Sequence, residues 1–190
     1  MKKITLLVVC SLVLFCAASA FAQDMLKVDY FANANTAGAP DGTMRLDNPG
    51  TYAPTGANGN LCAAIFVFDP FQEMSECCSC LLTPDGLRTL SIDSDLTSNP
   101  LTGVTLTTGV IKVVSAKPKA GACPLPTTLT AAAAVRSWVT HIQNSNFAVT
   151  ETGSQDATLV ATEQIRLASQ CKAIQTVGSG KGICSCGTGD

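Results

Sequence analysis

The cysteines are the residues of this 190-residue chain with the clearest potential for chemistry. Cys77, Cys78 and Cys80 lie together in the middle of the sequence, and Cys184 and Cys186 form a second close group near its end. Thiols at such spacings bind a soft ion such as Zn²⁺ or Cu(I), or they form disulfides in an oxidising compartment. Neighbouring cysteines usually point in different directions, and this favours disulfides with distant partners.

Residues 77–80 also have the Cys-x-x-Cys spacing of a thiol-disulfide exchange motif. A redox pair of that kind needs a strand, a helix and a strand around it, whereas this segment lies between Pro70 and Pro84 in turn-like sequence. We therefore favour a disulfide framework over a metal centre or a redox site. The candidate bridging residues are Cys62, Cys77, Cys78, Cys80, Cys123, Cys171, Cys184 and Cys186.

A second candidate site consists of oxygen-bearing side chains at alternate positions, as in the first half of a calcium-binding loop. Its members are Asp93, Asp95, Thr97 and Asn99. The sixth position of this segment is Ser98 rather than Gly, and the twelfth is Val104 rather than Glu, which excludes an EF-hand. The two remaining interpretations are a looser surface calcium site and an ordinary turn, and the sequence predicts no other cofactor.

Catalytic groups are sparse. His141 is the only histidine, so a Ser-His-Asp triad would have to use it, and no Gly-x-Ser-x-Gly motif accompanies it. A packed or surface histidine is the simpler interpretation. Asp69, Glu73 and Glu76 have the side chains for acid and base catalysis of glycoside hydrolysis, but three acids so close in a turn are typically solvated. We predict that the protein is not an enzyme.

The first 22 residues have the three parts of a secretory signal peptide. Two lysines precede an apolar run over residues 4–18, and Ala20-Phe21-Ala22 provides a cleavage site before Gln23. The run is shorter than the roughly 20 residues that a membrane-spanning helix needs, and no second apolar stretch of that length follows. We expect a mature protein of residues 23–190 that is secreted to the periplasm or the exterior and has no membrane span.

The composition of the mature chain limits its partners. Without the two lysines of the leader it has 10 basic and 14 acidic residues, a formal net charge of −4 spread thinly along the chain. Nucleic-acid binding needs clustered Lys and Arg, and none are present. The length suits a single domain, and the abundance of Thr, Ala and Gly is common in bacterial surface proteins.

Apolar runs and alternation predict strands in the first part of the mature chain. They cover residues 26–32, 61–68, 86–92 and 103–116, the last as a hairpin or as one long bulged strand. Residues 33–60 are dense in Gly, Pro and Asn and predict a long loop, of which residues 43–46 are the part best suited to pair as a strand.

Helical spacing of apolar residues predicts two helices in the second half. The first covers residues 131–143 after a cap at Thr130, and the second begins after Ser154 or Asp156 and reaches about Val177. A short strand at 147–152 lies between them, and Gly178 ends the second helix and opens a Gly- and Cys-rich tail at 178–190. The predicted fold class is α+β, with an antiparallel β-rich first half, two later helices and disulfide staples.

These features predict a non-catalytic secreted or cell-surface protein, a structural, adhesion, matrix or filament subunit whose partners are itself or surface components. One mechanism is donation of residues 26–32 to the sheet of a neighbouring subunit, although we favour an ordinary edge strand within the chain. The alternative function is an extracellular calcium- or carbohydrate-binding module. A Cys-metal or thiol-redox protein is the least favoured hypothesis.

Overall fold

The computed structural model describes residues 25–52, 58–132, 134–178 and 181–189, so the predicted signal peptide lies outside the described residues. The strands of the described residues are β1 (Leu26–Phe31), β2 (Thr43–Asp47), β3 (Leu61–Phe68), β4 (Met74–Leu82), β5 (Leu87–Ser91), β6 (Gly109–Ala116), β7 (Arg136–Gln143), β8 (Ala148–Gly153), β9 (Gln155–Ala157) and β10 (Thr188–Gly189). The helices are α1 (Ile92–Asp95) and α2 (Ala161–Val177).

The strands form two antiparallel sheets. The first sheet has the order β4-β3-β6-β1-β9, and the second has the order β10-β5-β2-β7-β8. One core lies between the sheets and includes Phe31, Ile65 and Ile111 from the first and Met44, Leu90 and Val139 from the second. A second core lies between the first sheet and α2 and includes Phe66, Val114, Leu167 and Ile174. The β-rich α+β class is confirmed.

The apolar run of β3 explains the position of this strand at the centre of the fold. All eight of its residues are buried, as predicted for residues 61–68. Alternate side chains of a strand point to opposite faces. Ile65 therefore packs into the core between the sheets, and Phe66 packs toward α2. A strand covered on both faces has no polar side to show, and this is why its sequence does not alternate.

The predicted first helix is wrong, because residues 136–143 form strand β7. The strand pairs with β2 on one side and β8 on the other. Ser137, Val139 and His141 are buried at alternate positions, the period of a strand. The alanines before Val135 favour a helix locally, but pairing on both sides and burial of Val139 outweigh that preference.

Residues 74–82 form strand β4, although the sequence around the cysteines predicts a turn. This strand pairs with β3 along its length, with one irregularity between Val67 and Phe68.

The strand predicted at residues 103–116 is shorter than expected. Only its second part forms a strand, β6, which begins at Gly109. A Cβ at Gly109 would lie 2.6 Å from the carbonyl oxygen of Phe68 and 2.7 Å from the ring of Phe31, so the strands approach closely here only because glycine has no side chain.

The second predicted helix is correct at its end and wrong at its start. It ends at Val177 with Gly178 as its C-cap, but it begins only at Ala161. Ser154 and Asp156 do not cap it, because residues 155–157 extend instead as β9 and pair with β1. The strands predicted within residues 43–46, 86–92 and 147–152 are present as β2, β5 and β8.

Strand β1 lies inside the first sheet of its own chain. It pairs with β6 along all six of its residues and with β9 over Leu26–Val28. The interpretation of residues 26–32 as a strand that pairs within the chain is confirmed, but the strand is interior rather than at an edge. Donation of this strand to a neighbour would break pairing on both sides.

Candidate functional site

All eight predicted cysteines form disulfides. The pairs are Cys62–Cys123, Cys77–Cys171, Cys78–Cys184 and Cys80–Cys186, with Cα–Cα distances of 5.2 to 5.7 Å. The three cysteines of β4 have partners on different sides of the sheet, because successive side chains of a strand point to opposite faces. Cys77 packs against α2, whereas Cys78 and Cys80 pack on the side of the inter-sheet core.

The disulfides also tie down the C-terminal tail, as its cysteines predict. The tail runs beside β4, where the N–H of Cys77 donates to the carbonyl oxygen of Gly182 at 2.9 Å. It then reaches the second sheet as β10, which pairs with β5. The tail therefore joins the edges of both sheets along one side of the molecule.

The sulfur atoms of Cys78, Cys80 and Cys186 lie within 4.8 Å of one another, a distance typical of a metal site. Cys80 and Cys186 are bonded to each other, however, and Cys78 is bonded to Cys184. A metal needs thiolate ligands, so reduction of both disulfides would have to come before metal binding at this cluster.

The calcium candidates lie in and just after α1. Asp93 and Asp95 belong to the helix, and Thr97 and Asn99 follow it. One carboxylate oxygen of Asp95 accepts the backbone N–H of Ser91 at 2.8 Å, and one of Asp93 accepts the N–H of a loop residue at 3.1 Å. Burial raises the pKa of Asp93, while that loop hydrogen bond opposes the rise and the nearby Asp41 carboxylate adds to it.

Thr97 and Asn99 are buried, and their oxygens hold the same loop together. The Thr97 hydroxyl donates to the carbonyl oxygen of Asp93 at 2.6 Å. The side-chain oxygen of Asn99 accepts the N–H groups of Leu101 and Thr102 at 3.2 and 3.3 Å. Asp95, Thr97 and Asn99 thus make local hydrogen bonds that shape the turn, while Asp93 joins it to the loop after β1, and a calcium site here stays a prediction.

His141 is buried on β7, with 3% of its surface exposed. Its Nε2 atom lies 2.7 Å from the hydroxyl of Thr152 and 3.3 Å from a carboxylate oxygen of Asp29, and the ring of Tyr30 stacks on it at 4.3 Å. A catalytic triad joins its carboxylate and its nucleophile to different ring nitrogens. Here both oxygens meet the same nitrogen, so the group does not have the geometry of a triad.

The three acids near β4 have different surroundings, and only one is solvated as expected. Asp69 is buried and accepts the backbone N–H groups of Phe71 and Glu73, each at 2.9 Å, while the Glu73 side chain is exposed. Glu76 is 3% exposed, and one of its carboxylate oxygens has no hydrogen-bond partner among the described residues. Burial raises the pKa of Glu76 to about 7, although a hydrogen bond with Ser98 opposes the rise.

A polar cleft opens where the chain crosses between the sheets on the side opposite the tail. We call it the β1–β7 cleft, and it has a volume of about 310 Å³. It is lined by Lys27, Pro49, Thr51, Ala134, Val135, Arg136, Ser137, Trp138, Gly153, Ser154 and Asp156. Lys27 lies directly opposite Asp156 in the β1–β9 ladder, and its ammonium group pairs with that carboxylate.

Sequence reasoning missed this cleft because polar residues that alternate with apolar ones in a strand normally face solvent. In β1, Leu26 and Val28 pack toward α2. Lys27 and Asp29 therefore face the second sheet, and Lys27 is only 8% exposed. The alternation of residues 26–31 shows that Lys27 and Asp29 share one face of the strand. Whether that face meets solvent or the second sheet depends on what covers the apolar face, and the sequence does not show this.

Comparison with protein families gives no matching family model, and no curated protein matches the chain. A crystal structure of Thermotoga maritima 1070 is similar at a TM-score of 0.42 and 9% sequence identity, over 74% of this chain and 99% of that chain. This likeness is too weak to carry an inference about function. Among the described residues, no helix is long and apolar enough to cross a membrane.

Proposed function

We propose that the protein is a non-catalytic exported protein, a structural subunit of the cell surface or matrix that associates with a second copy through strand β8. Export is supported by the signal-like first 22 residues and by the four disulfides, which form and persist in oxidising compartments. The observation that carries the association is the exposed edge of the second sheet.

The β8 strand is long for an uncovered edge. It pairs with β7 on one side, all six of its residues are exposed, and no strand of the described residues lies on its other side. The other sheet ends are shorter or covered: β9 has three residues, β10 has two, and the tail runs beside β4. Monomeric proteins usually protect such edges with Pro or charged side chains; β8 contains no Pro, and its single charge, Glu151, is paired with Arg45 of its own chain.

The sequence of β8 suits pairing with an identical strand. A two-fold antiparallel pair centred on Thr150 places the two Thr150 side chains opposite each other, and it places Val149 opposite Glu151 of the second copy. Thr–Thr pairs are favourable, and no like charges are directly opposite in this register. Glu151 is also paired with Arg45 of its own chain, which offsets its charge. A two-fold contact of this kind closes as a dimer.

The test uses protein expressed with residues 1–22 and recovered from the periplasm or the medium. We expect the recovered chain to begin at Gln23 and its mass in sedimentation to rise to that of a dimer with concentration. Thr150→Lys places two ammonium groups opposite each other and should abolish the dimer. Val149→Lys places its charge opposite Glu151 of the second copy and should retain it.

The matched control is Ile165→Lys, which adds the same charge at an exposed position of α2. It should leave the dimer intact. A wild-type monomer at every concentration would overturn association through β8, and so would dissociation of the Ile165→Lys variant to the same extent as Thr150→Lys. Retention of the protein inside the cell with residues 1–22 uncleaved would overturn export.

A further inference from the structure

Buried polar atoms without a hydrogen-bond partner among the described residues are concentrated in and next to the β1–β7 cleft. Five buried side-chain atoms of the described residues lack a hydrogen-bond partner. Four of them lie along β1, β7 and the β8–β9 crossing, on Asp29, Ser137, His141 and Ser154. Buried polar atoms are nearly always paired, so a group of exceptions in one place calls for an explanation.

Two of these atoms belong to the cleft itself. Ser137 is 5% exposed and Ser154 is half-buried, and both side chains line the cleft. The N–H of Ser154 donates to the carbonyl oxygen of Ser137 at 2.9 Å, which holds the two residues together. A serine hydroxyl both donates and accepts, so this pair suits a ligand with groups that do the same.

The buried charges of the cleft are balanced, which suits a neutral ligand. The ammonium group of Lys27, whose side chain is 10% exposed, is paired with the carboxylate of Asp156, so the charge of this pair is balanced. The other cationic residue of the lining, Arg136, is exposed, so water and salt screen its charge. The paired ammonium and carboxylate groups still offer a donor and an acceptor in fixed positions.

Trp138 is the one aromatic residue of the lining, whose other apolar members are Pro49, Ala134 and Val135. Trp138 is half-buried, and a Cβ on Gly153 would lie 3.7 Å from its ring nitrogen. Because Gly153 has no side chain, this part of the ring is not covered by it. A tryptophan ring combines a broad apolar face with one polar N–H. The volume of about 310 Å³ is at the small end of the roughly 300 to 1,000 Å³ of small-molecule sites.

We propose that the β1–β7 cleft binds a single neutral sugar unit of an extracellular saccharide. The hydroxyls of Ser137 and Ser154 and the polar atoms of Lys27 and Asp156 exchange hydrogen bonds with the sugar hydroxyls, and the C–H face of the sugar packs on Trp138. This site goes beyond the association through β8 and does not rest on it. No covalent step is involved.

Trp138 is the only tryptophan of the chain, so its fluorescence reports on this cleft alone. The probes are glucose, galactose, mannose and N-acetylglucosamine, with glucuronate and inorganic phosphate as anions. We expect a saturable change of emission with at least one neutral sugar, and weaker binding of both anions. The double variant Ser137→Ala with Ser154→Ala should weaken sugar binding by about tenfold or more.

A second measurement separates ligand binding from a structural role. Without sugar, the double variant should melt no lower than wild type, because it removes two hydroxyls that have no hydrogen-bond partner among the described residues. With sugar, the melting temperature should rise for wild type and for the control Ser169→Ala on α2, but not for the double variant. A structural role for these hydroxyls predicts a lower melting temperature without sugar.

Three results would overturn the proposal. One is the absence of any saturable response to the four neutral sugars, and another is tighter binding of phosphate or glucuronate than of every neutral sugar. The third is a response of the double variant equal to that of wild type, which would place the sugar elsewhere.

Discussion

Glu76 makes the stability of the protein depend on pH in a direction that a single substitution tests. Its carboxyl group is buried next to Ser98, and one of its oxygens lacks a hydrogen-bond partner among the described residues. Burial raises its pKa from 4.5 to about 7, and the nearby Asp95 carboxylate contributes to the rise. Between these two pH values the folded protein holds a proton that the unfolded chain has released.

A proton held only by the folded state makes stability fall as pH rises. The contribution of Glu76 is fully present below about pH 4.5 and is lost as pH passes through about 7. One pKa unit corresponds to about 1.4 kcal/mol, so the whole loss is about 3 kcal/mol. For a domain of this size, that corresponds to a fall of about 6 to 12 °C in melting temperature.

The substitution Glu76→Gln keeps the shape of the side chain and removes its ionisation. We expect wild type to lose about 3 kcal/mol of unfolding free energy between pH 4 and pH 8 relative to this variant, measured by urea denaturation. Glu73→Gln, an exposed position in the preceding turn, is the matched control and should follow wild type. Parallel curves for wild type and Glu76→Gln would refute the reasoning.

Two further predictions concern the disulfides and the close approach of two strands. The double variant Cys77→Ala with Cys171→Ala opens the bridge between β4 and α2, whose cysteines are 94 positions apart, and should lower the unfolding free energy by about 2 to 5 kcal/mol in urea. Thiol titration of unfolded, unreduced wild type should find no free thiol in the mature chain, and a free thiol would contradict the four bridges. Gly109→Ala places a methyl group against Phe68 and Phe31 and should lower the melting temperature by an amount equivalent to about 1 to 3 kcal/mol, whereas Gly153→Ala, whose Cβ would lie 3.7 Å from its nearest neighbour, should cost less.

The features that the sequence predicts correctly are those set by local composition. The unbroken apolar run of residues 61–68 has the length and composition of a strand covered on both faces, and β3 is that strand. The even number of cysteines after residue 22, with adjacent ones at 77 and 78, predicts bridges to distant partners. Gly178 ends α2 as predicted, but its φ of −73° is not left-handed; the position suits glycine because a Cβ there would lie 2.7 Å from the carbonyl oxygen of Ile174.

The errors occur where a distant part of the chain decides the outcome. Residues 136–143 follow an alanine-rich segment that favours a helix, yet they form β7 because β2 and β8 pair with both of its edges. Residues 77–80 have turn-like neighbours in the sequence, yet they form part of β4 because this strand pairs with β3. Strand pairing depends on partners that lie far away in the sequence, and local spacing does not contain that information.

The cysteines and the polar cleft also separate what the sequence predicts from what only the packing of distant elements decides. Their number and spacing determined that the thiols would be bridged, but only the two faces of β4 decided that Cys77 joins α2 while Cys78 and Cys80 hold the tail. Lys27 and Ser137 are unremarkable in the sequence. They meet in one cleft because β1 and β7 come from different sheets, and only the packing of those sheets brings their polar faces together.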